Sequence, residues 1–212
     1  MTAAVKKICA LGSTSIRSVL VAADRLVDAF GGSNAGLLLS ILQLKNGFFA
    51  FEKALHVFSD LGAAGDHGLI EWNADNLWRK EYDGMADGCL FFAEDILGTQ
   101  FCIHGHKIFT FEPETGRLEY MATTVEEWAE TVLTDCGLWT GYRLAREWQK
   151  LHGALSIGSR LVPKVPFVLG GEYVVDNLYA AESVKSMRFR ASLAVQVRDL
   201  PDGSSVRIRL ID

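Results

Sequence analysis

The sequence has few of the features that mark membrane or secreted proteins. Its apolar runs are shorter than the roughly 18 residues that a membrane-spanning helix needs, so we expect no membrane contact. After Lys6 and Lys7, the apolar residues 8–11 run into a polar stretch, too soon for the hydrophobic region of a secretory signal. The four cysteines follow no disulfide or metal spacing, which favours reduced, mostly buried thiols in a cytoplasmic protein. They are Cys9, Cys89, Cys102 and Cys136.

Catalytic and cofactor motifs are also missing. The chain has no phosphate-binding loop and no dinucleotide fingerprint, so we expect no cofactor. Residues 31–35 faintly resemble a nucleophile elbow, but they follow a predicted helix, whereas that elbow follows a strand. Cys102, His104 and His106 alternate and could place three metal ligands on one face of a strand. Gly105 is expected to bend the chain there, and no fourth ligand lies at a suitable spacing, so we predict no metal site.

What the chain does contain is enough apolar sequence for a sizeable core. Of its 212 residues, 49% are hydrophobic and 22% are charged, which is typical of one globular domain, 1–212. Apolar residues recur at helical spacing over residues 14–30 and again over 37–44, which predicts two amphipathic helices. Residues 48–58 are aromatic and apolar and predict a short pairing segment.

Residues 89–128 predict a meander of antiparallel strands. Apolar runs over residues 90–93, 100–103, 107–111 and 118–121 are separated by turn residues at Gly98, at residues 104–106 and at 112–116. Thr124 and Glu127 then have the spacing of a capping box, so a helix that buries Trp128 should begin there. The fold class predicted by these patterns is α+β.

The C-terminal part is predicted to add a hairpin, a helix and a strand. Residues 167–169 and 173–175 flank Gly170 and Gly171 and predict a hairpin with a two-residue turn. Apolar residues at helical spacing predict a helix over residues 180–198. Residues 205–210 alternate and predict a last strand.

Acidic residues concentrate in the meander. The chain has a net charge of −5, and residues 94–130 alone hold eight Asp or Glu against two Lys or Arg. This segment is either a solvated face or a surface for a basic protein partner, because an acidic field attracts cationic proteins and repels nucleic acid. Glu94 and Asp95 should point to opposite faces of a strand, with Asp95 capping the turn before Gly98.

Four pieces of the chain, in order, resemble the SUKH superfamily of bacterial immunity proteins and a fungal cell-wall-assembly regulator. They are residues 45–48 with 54–58, residues 90–101, residues 108–116 and residues 126–128. The resemblance covers about residues 14–152 and leaves residues 153–212 as an elaboration. It implies a strongly bent sheet with packed helices. It also implies a non-catalytic protein that neutralises a cognate toxin, often a nuclease, by direct binding.

The family has no fixed set of binding residues, so the partner surface is predicted from charge. We expect it to use carboxylates at turns and strand ends of the meander, which are Glu94, Asp95, Glu112, Glu114 and Glu119. A basic toxin, such as a nuclease, would present the complementary charge. The alternative is a cytoplasmic regulator or scaffold that binds another protein or a small ligand.

Overall fold

The structure is a computed structural model that describes residues 3–63, 65–201 and 203–204. Its helices, in chain order, are α1 (Ala3–Leu11), α2 (Ala23–Phe30), α3 (Gly32–Leu42), α4 (Leu69–Trp72), α5 (Val125–Thr134), α6 (Cys136–Thr140), α7 (Tyr142–His152) and α8 (Ser183–Val197). Its strands are β1 (Phe48–Ala50), β2 (Leu55–Val57), β3 (Leu90–Asp95), β4 (Gln100–His104), β5 (Lys107–Phe111), β6 (Leu118–Ala122), β7 (Ser159–Pro163) and β8 (Leu178–Glu182). Short 3₁₀ helices cover Arg79–Tyr82, Phe167–Leu169 and Val175–Asn177.

Strands β1 to β6 form one antiparallel sheet in which spatial order follows chain order. This confirms the predicted α+β class and the mainly antiparallel sheet. The predicted strands of the meander coincide with β3 to β6 to within two residues at each end. Gly98 and Gly116, which the sequence marks as turns, both have positive φ, a conformation that glycine adopts without steric cost.

Neighbouring residues of a strand point to opposite faces of the sheet, and a separate layer of the chain covers each face. Phe91 packs on Trp78, with ring centroids 5.0 Å apart, on the face covered by residues 69–82 and α8. Phe92 packs on Trp128, at 5.1 Å, on the face covered by α1, α3 and α5. The main core therefore lies on both sides of β3 and β4.

The helix predicted after the meander is confirmed, together with its cap. The Thr124 hydroxyl accepts a hydrogen bond from the Glu127 amide at 3.1 Å. The Glu127 carboxylate reaches back and accepts from the amide of Thr123, one residue before the cap, at 2.8 Å. The first bond satisfies an amide that a helix start leaves without a partner, and the second fixes the residue that precedes the cap. Trp128, one turn into α5, is fully buried.

The helix predicted over residues 14–30 is wrong in its first half, since α2 begins at Ala23. The amides of Ser13, Ile16 and Arg17 donate instead to carbonyls of residues 46–49, beside β1. Backbone groups used in this way are not free to form helical hydrogen bonds. Helix α1, which the sequence reading missed, packs its buried residues against α5 and α3.

The C-terminal part also differs from the prediction. The hairpin predicted over residues 167–175 is wrong, because the paired strands are β7 and β8, with Leu161 opposite Ala180. Between them, the side chain of Asn177 accepts a hydrogen bond from Val165 and donates one to Glu172, and so ties a loop together. Helix α8 confirms the predicted C-terminal helix. The strand predicted over residues 205–210 lies outside the described residues.

The C-terminal part packs closely against the sheet. Met187 and Ala191 of α8 are buried in the main core. Leu161 of β7 joins a second cluster with Ile96 and with Trp148 of α7. Across residues 3–63, 65–201 and 203–204, no helix combines the length and apolar content needed to cross a membrane. The four cysteines are free, and all but Cys136 are buried.

Candidate functional site

A cleft of about 810 Å³ opens at one end of the six-stranded sheet. Antiparallel pairing brings the β3–β4 turn and the β5–β6 turn to this same end. The remaining walls come from α6, the start of α7 and the segment 167–173. Four of the five carboxylates predicted for the partner surface line it, namely Asp95, Glu112, Glu114 and Glu119.

Asp95 organises the β3–β4 turn. One of its carboxylate oxygens accepts hydrogen bonds from the amides of Leu97 and Thr99, each at 2.8 Å. This is the turn-making role that the sequence predicts for Asp95. The side chain is only 7% exposed. Burial raises the pKa of Asp95 to about 7, although both amides and the charge of Arg190 act against the rise.

Glu112 and Glu114 both stabilise the β5–β6 turn, but through different hydrogen bonds. Glu112 accepts hydrogen bonds from the Glu114 amide at 2.9 Å and from the Thr115 hydroxyl at 3.0 Å. Glu114 accepts from the amide of Val168 at 2.9 Å and so ties this turn to the C-terminal segment. Glu114 is 2% exposed. Burial raises its pKa to about 7, and the nearby charge of Glu112 adds to the rise.

Glu119 forms the rim of the cleft on β6. In the register of the sheet, Phe101, Thr110 and Glu119 stand side by side on β4, β5 and β6 and therefore share one face. Glu119 is exposed and forms an ion pair with Arg117. The acidic lining of the cleft thus runs from the buried turns to an exposed edge strand.

Glu94 does not belong to this surface, which corrects the prediction that placed it there. Because side chains alternate along a strand, Glu94 lies on the opposite face of the sheet from Asp95, and it is 2% exposed. Its carboxylate contacts Arg160 of β7 at 2.8 Å, His56 at 3.2 Å and Gln100 at 3.0 Å. Burial alone would raise the pKa of Glu94, but Arg160 and His56 outweigh it and hold the pKa at about 2. Glu94 therefore holds β7 against the sheet through a buried ion pair.

The predicted surface is therefore only partly exposed. Asp95 and Glu114 are buried in the cleft, Glu112 is half-buried and Glu119 is exposed. The sequence pattern placed carboxylates at turns correctly, but it did not reveal which of them are buried. Burial of Glu114 depends on Val168, which lies 54 residues further along the chain, and no local pattern signals that contact.

The apolar wall of the cleft was also missed. Phe167 and Tyr173 stack with ring centroids 3.9 Å apart and planes within 3° of parallel. Trp139 of α6 and Leu144 of α7 line the same cleft. Tyr173 is 64% exposed, so one side of the stacked pair is open. The sequence signal was present as aromatic residues on either side of Gly170 and Gly171, which we assigned to a hairpin.

The residues considered as metal ligands are dispersed. Cys102 is buried, whereas His106 has positive φ in the β4–β5 turn and is exposed. His104 lies 3.7 Å from the sulfur of Cys89. Among residues 3–63, 65–201 and 203–204, no group of three His, Cys, Asp or Glu side chains is arranged to hold a metal ion.

The acidic cleft can accept hydrogen bonds and bind positive charge. Among the residues that the structure describes, four carboxyl groups line it against one guanidinium, Arg117, which is already paired with Glu119. Two of the four have a pKa near neutrality, so they can also take up or release protons under ordinary conditions. Groups with strongly shifted pKa values in a cleft are typical of functional sites.

Comparison with known proteins adds information on the fold. No family model matches the chain, and no curated protein matches it. The crystal structure of Atu4351 from Agrobacterium tumefaciens is similar, with a TM-score of 0.55 and 12% sequence identity. The match covers 86% of this chain and 87% of that one. At this identity the likeness extends to the fold alone.

Proposed function

We propose that this chain is a non-catalytic binding protein that holds a basic protein partner at its acidic cleft. The observation that carries the proposal is the concentration of Asp95, Glu112, Glu114 and Glu119 in one concave site. The resemblance to the SUKH superfamily makes a cognate bacterial toxin, such as a nuclease, the partner that we favour. The free cysteines fit a cytoplasmic protein.

Charge complementarity gives this proposal its physical basis. A nuclease needs a cationic cleft because it must hold the phosphates of its substrate. A protein that blocks such a cleft gains from carboxylates fixed in position, which speed encounter and pair with cations on binding. The turn hydrogen bonds of Asp95 and Glu112 hold these carboxylates in place before any partner arrives.

A second candidate function is binding of a small ligand by a cytoplasmic regulator. The size of the cleft favours it, since about 810 Å³ falls within the usual range for small-molecule sites. Trp139 and Tyr173 would supply the apolar contacts that such sites require.

The test begins with the gene next to this one. If that gene encodes a toxin, the two purified proteins should bind, and binding should weaken as salt is raised. Glu112→Lys with Glu119→Lys should reduce both the affinity and its salt dependence, because both side chains reach solvent. Glu114 is unsuitable for charge reversal because it is buried.

A matched control is available on the helices. Glu130 of α5 and Glu147 of α7 are exposed acidic residues that do not line the cleft. Glu130→Lys with Glu147→Lys makes the same change in net charge and should leave binding nearly unaltered. If the two double variants behave alike, the cleft is not the binding surface. If the neighbouring toxin does not bind the wild-type protein, the immunity role is wrong.

A further inference from the structure

The two most buried carboxyl groups of the cleft, Asp95 and Glu114, have no cation in contact. Asp95 accepts hydrogen bonds from the amides of Leu97 and Thr99 and from the side chain of Thr99. Glu114 accepts from the amides of Val168 and Phe167. Neither forms an ion pair with any residue that the structure describes. Each side chain is more than nine-tenths buried and lines the cleft. Such groups are normally paired, since an unpaired buried charge is costly.

The nearest internal cation is held elsewhere. Arg190 of α8 is buried, and its guanidinium donates to the carbonyl of Leu97 and to the carbonyl and hydroxyl of Ser186. Its charge acts on Asp95 and Glu114 from a distance, without a direct contact. On the opposite side, Arg117 is paired with Glu119. The cleft therefore has unused capacity for positive charge.

The apolar wall indicates which cation fits. The stacked rings of Phe167 and Tyr173, together with Trp139, line the same cleft as the two carboxyl groups. A guanidinium ion is planar, donates up to five hydrogen bonds in a fixed fork, and stacks on aromatic faces. An ammonium ion is a compact, strongly hydrated charge that uses flat aromatic surfaces less well.

We infer that Asp95 and Glu114 form a binding site for one guanidinium group, with Trp139 and Tyr173 packing against its plane and stem. The group would be carried by an arginine of a protein partner or by a small guanidino compound. This inference deepens the proposed function and depends on it only for the choice of the cleft as the binding surface.

Binding should also release protons. The charged and titratable groups that act on the two carboxyl groups are Glu112 from the β5–β6 turn and Arg190 from α8. Two tyrosines also interact with them, Tyr173 on the C-terminal segment and Tyr82 on the 3₁₀ helix at residues 79–82. With pKa values of about 7, Asp95 and Glu114 are partly protonated at neutral pH. A bound cation favours the ionised form, so proton release and a rise in affinity between pH 6 and pH 8 should accompany binding.

The experiment is calorimetric titration of the full chain with N-acetyl-arginine amide, and with N-acetyl-citrulline amide as its uncharged counterpart of the same shape. Agmatine serves as the free small guanidino compound and N-acetyl-lysine amide as the ammonium probe. We expect the arginine compound to bind at least about tenfold more tightly than the citrulline and lysine compounds. Tighter binding of agmatine than of the arginine amide would indicate a small-molecule source, and the reverse a protein source.

Proton release is measured by repeating the arginine titration in buffers of different ionisation heat. Asp95→Asn with Glu114→Gln keeps an oxygen acceptor at both sites and removes both charges. In this variant affinity should fall at least about tenfold and proton release should disappear. Trp139→Leu should weaken binding without changing proton release, and Glu130→Gln should change neither. If the double variant does not fold, the arginine–citrulline comparison on the wild-type protein still decides.

The outcomes separate this inference from the proposed function. Equal binding of the arginine and citrulline compounds, equal binding of the lysine compound, or unchanged binding in the double variant would each overturn the guanidinium site. If the toxin bound through Glu112 and Glu119 while no guanidinium compound bound, the proposed function would stand and the guanidinium site would be wrong. If the arginine compound bound but no protein partner did, the reverse would hold.

Discussion

Glu114 gives the sharpest test of the cleft, because the fold holds a carboxyl group there at an energetic cost. Its pKa is raised by burial from 4.5 to about 7. Below pH 4.5 the group is protonated in both the folded and the unfolded chain. As the pH rises towards 7, the unfolded chain releases the proton while the folded chain keeps it. The free energy of unfolding should therefore fall across this window and stay level above it.

The size of the effect follows from the shift. A rise of about 2.5 pKa units at about 1.4 kcal/mol per unit predicts that ionised Glu114 lowers the free energy of unfolding by about 3 kcal/mol at pH 8. Glu114→Gln keeps an acceptor for the Val168 amide and removes the charge. The variant should equal the wild-type protein near pH 4 and exceed it by up to about 3 kcal/mol at pH 8.

The measurement is urea unfolding of both proteins at pH 4, 6 and 8, followed by tryptophan fluorescence. Glu130→Gln on α5 removes an exposed carboxylate and should change stability by less than about 0.5 kcal/mol at each pH. A difference between Glu114→Gln and the wild-type protein that does not grow with pH would refute the argument. So would a variant that is less stable at pH 8.

Three further outcomes follow from the core and its polar contacts. Trp128→Ala should lower the free energy of unfolding, measured by urea titration, by about 3–5 kcal/mol because the indole is fully buried. Unchanged stability would contradict the packing of α5. Arg160→Met should lower the free energy of unfolding by about 3–5 kcal/mol, because it leaves the Glu94 carboxylate buried without the guanidinium of Arg160. Adding Glu94→Gln to the same chain should recover part of this loss. No recovery would argue against the ion pair. A chelator should leave the melting temperature unchanged, because we expect no metal in the fold. A stoichiometric zinc signal that is lost on replacing His104 and His106 would contradict this expectation.

Local patterns were enough to predict the meander and the helix that follows it. Strands β3 to β6 are short, largely apolar runs between glycine-containing turns, and such signals depend only on neighbours in the chain. Thr124 and Glu127 are also a short-range pair, and the Thr124 hydroxyl accepts from the Glu127 amide as the spacing predicts, while the Glu127 carboxylate bonds the amide of Thr123 instead of that of Thr124. Asp95 was placed correctly at a turn for the same reason.

Contacts between distant parts of the chain explain the errors. The amides of Ser13, Ile16 and Arg17 bond to carbonyls of residues 46–49, which overrides an apolar spacing that would otherwise favour a helix. Glu94 meets Arg160, and Glu114 meets Val168, across more than 50 residues in each case. Whether a carboxylate is a surface charge or an internal anchor depends on such partners, and the sequence near Glu94 does not reveal them.

The ion pair between Glu94 and Arg160 has a consequence for the order in which the chain can fold. During synthesis every strand of the six-stranded sheet leaves the ribosome before Arg160 does. Until then, closing the sheet would bury the Glu94 carboxylate without the guanidinium group that pairs with it, which is unfavourable. We therefore expect a chain that ends at His152 to remain sensitive to protease, and resistance to appear only once β7 is present. The six-stranded sheet should thus become stable only after β7, which follows it in the chain, has been synthesised.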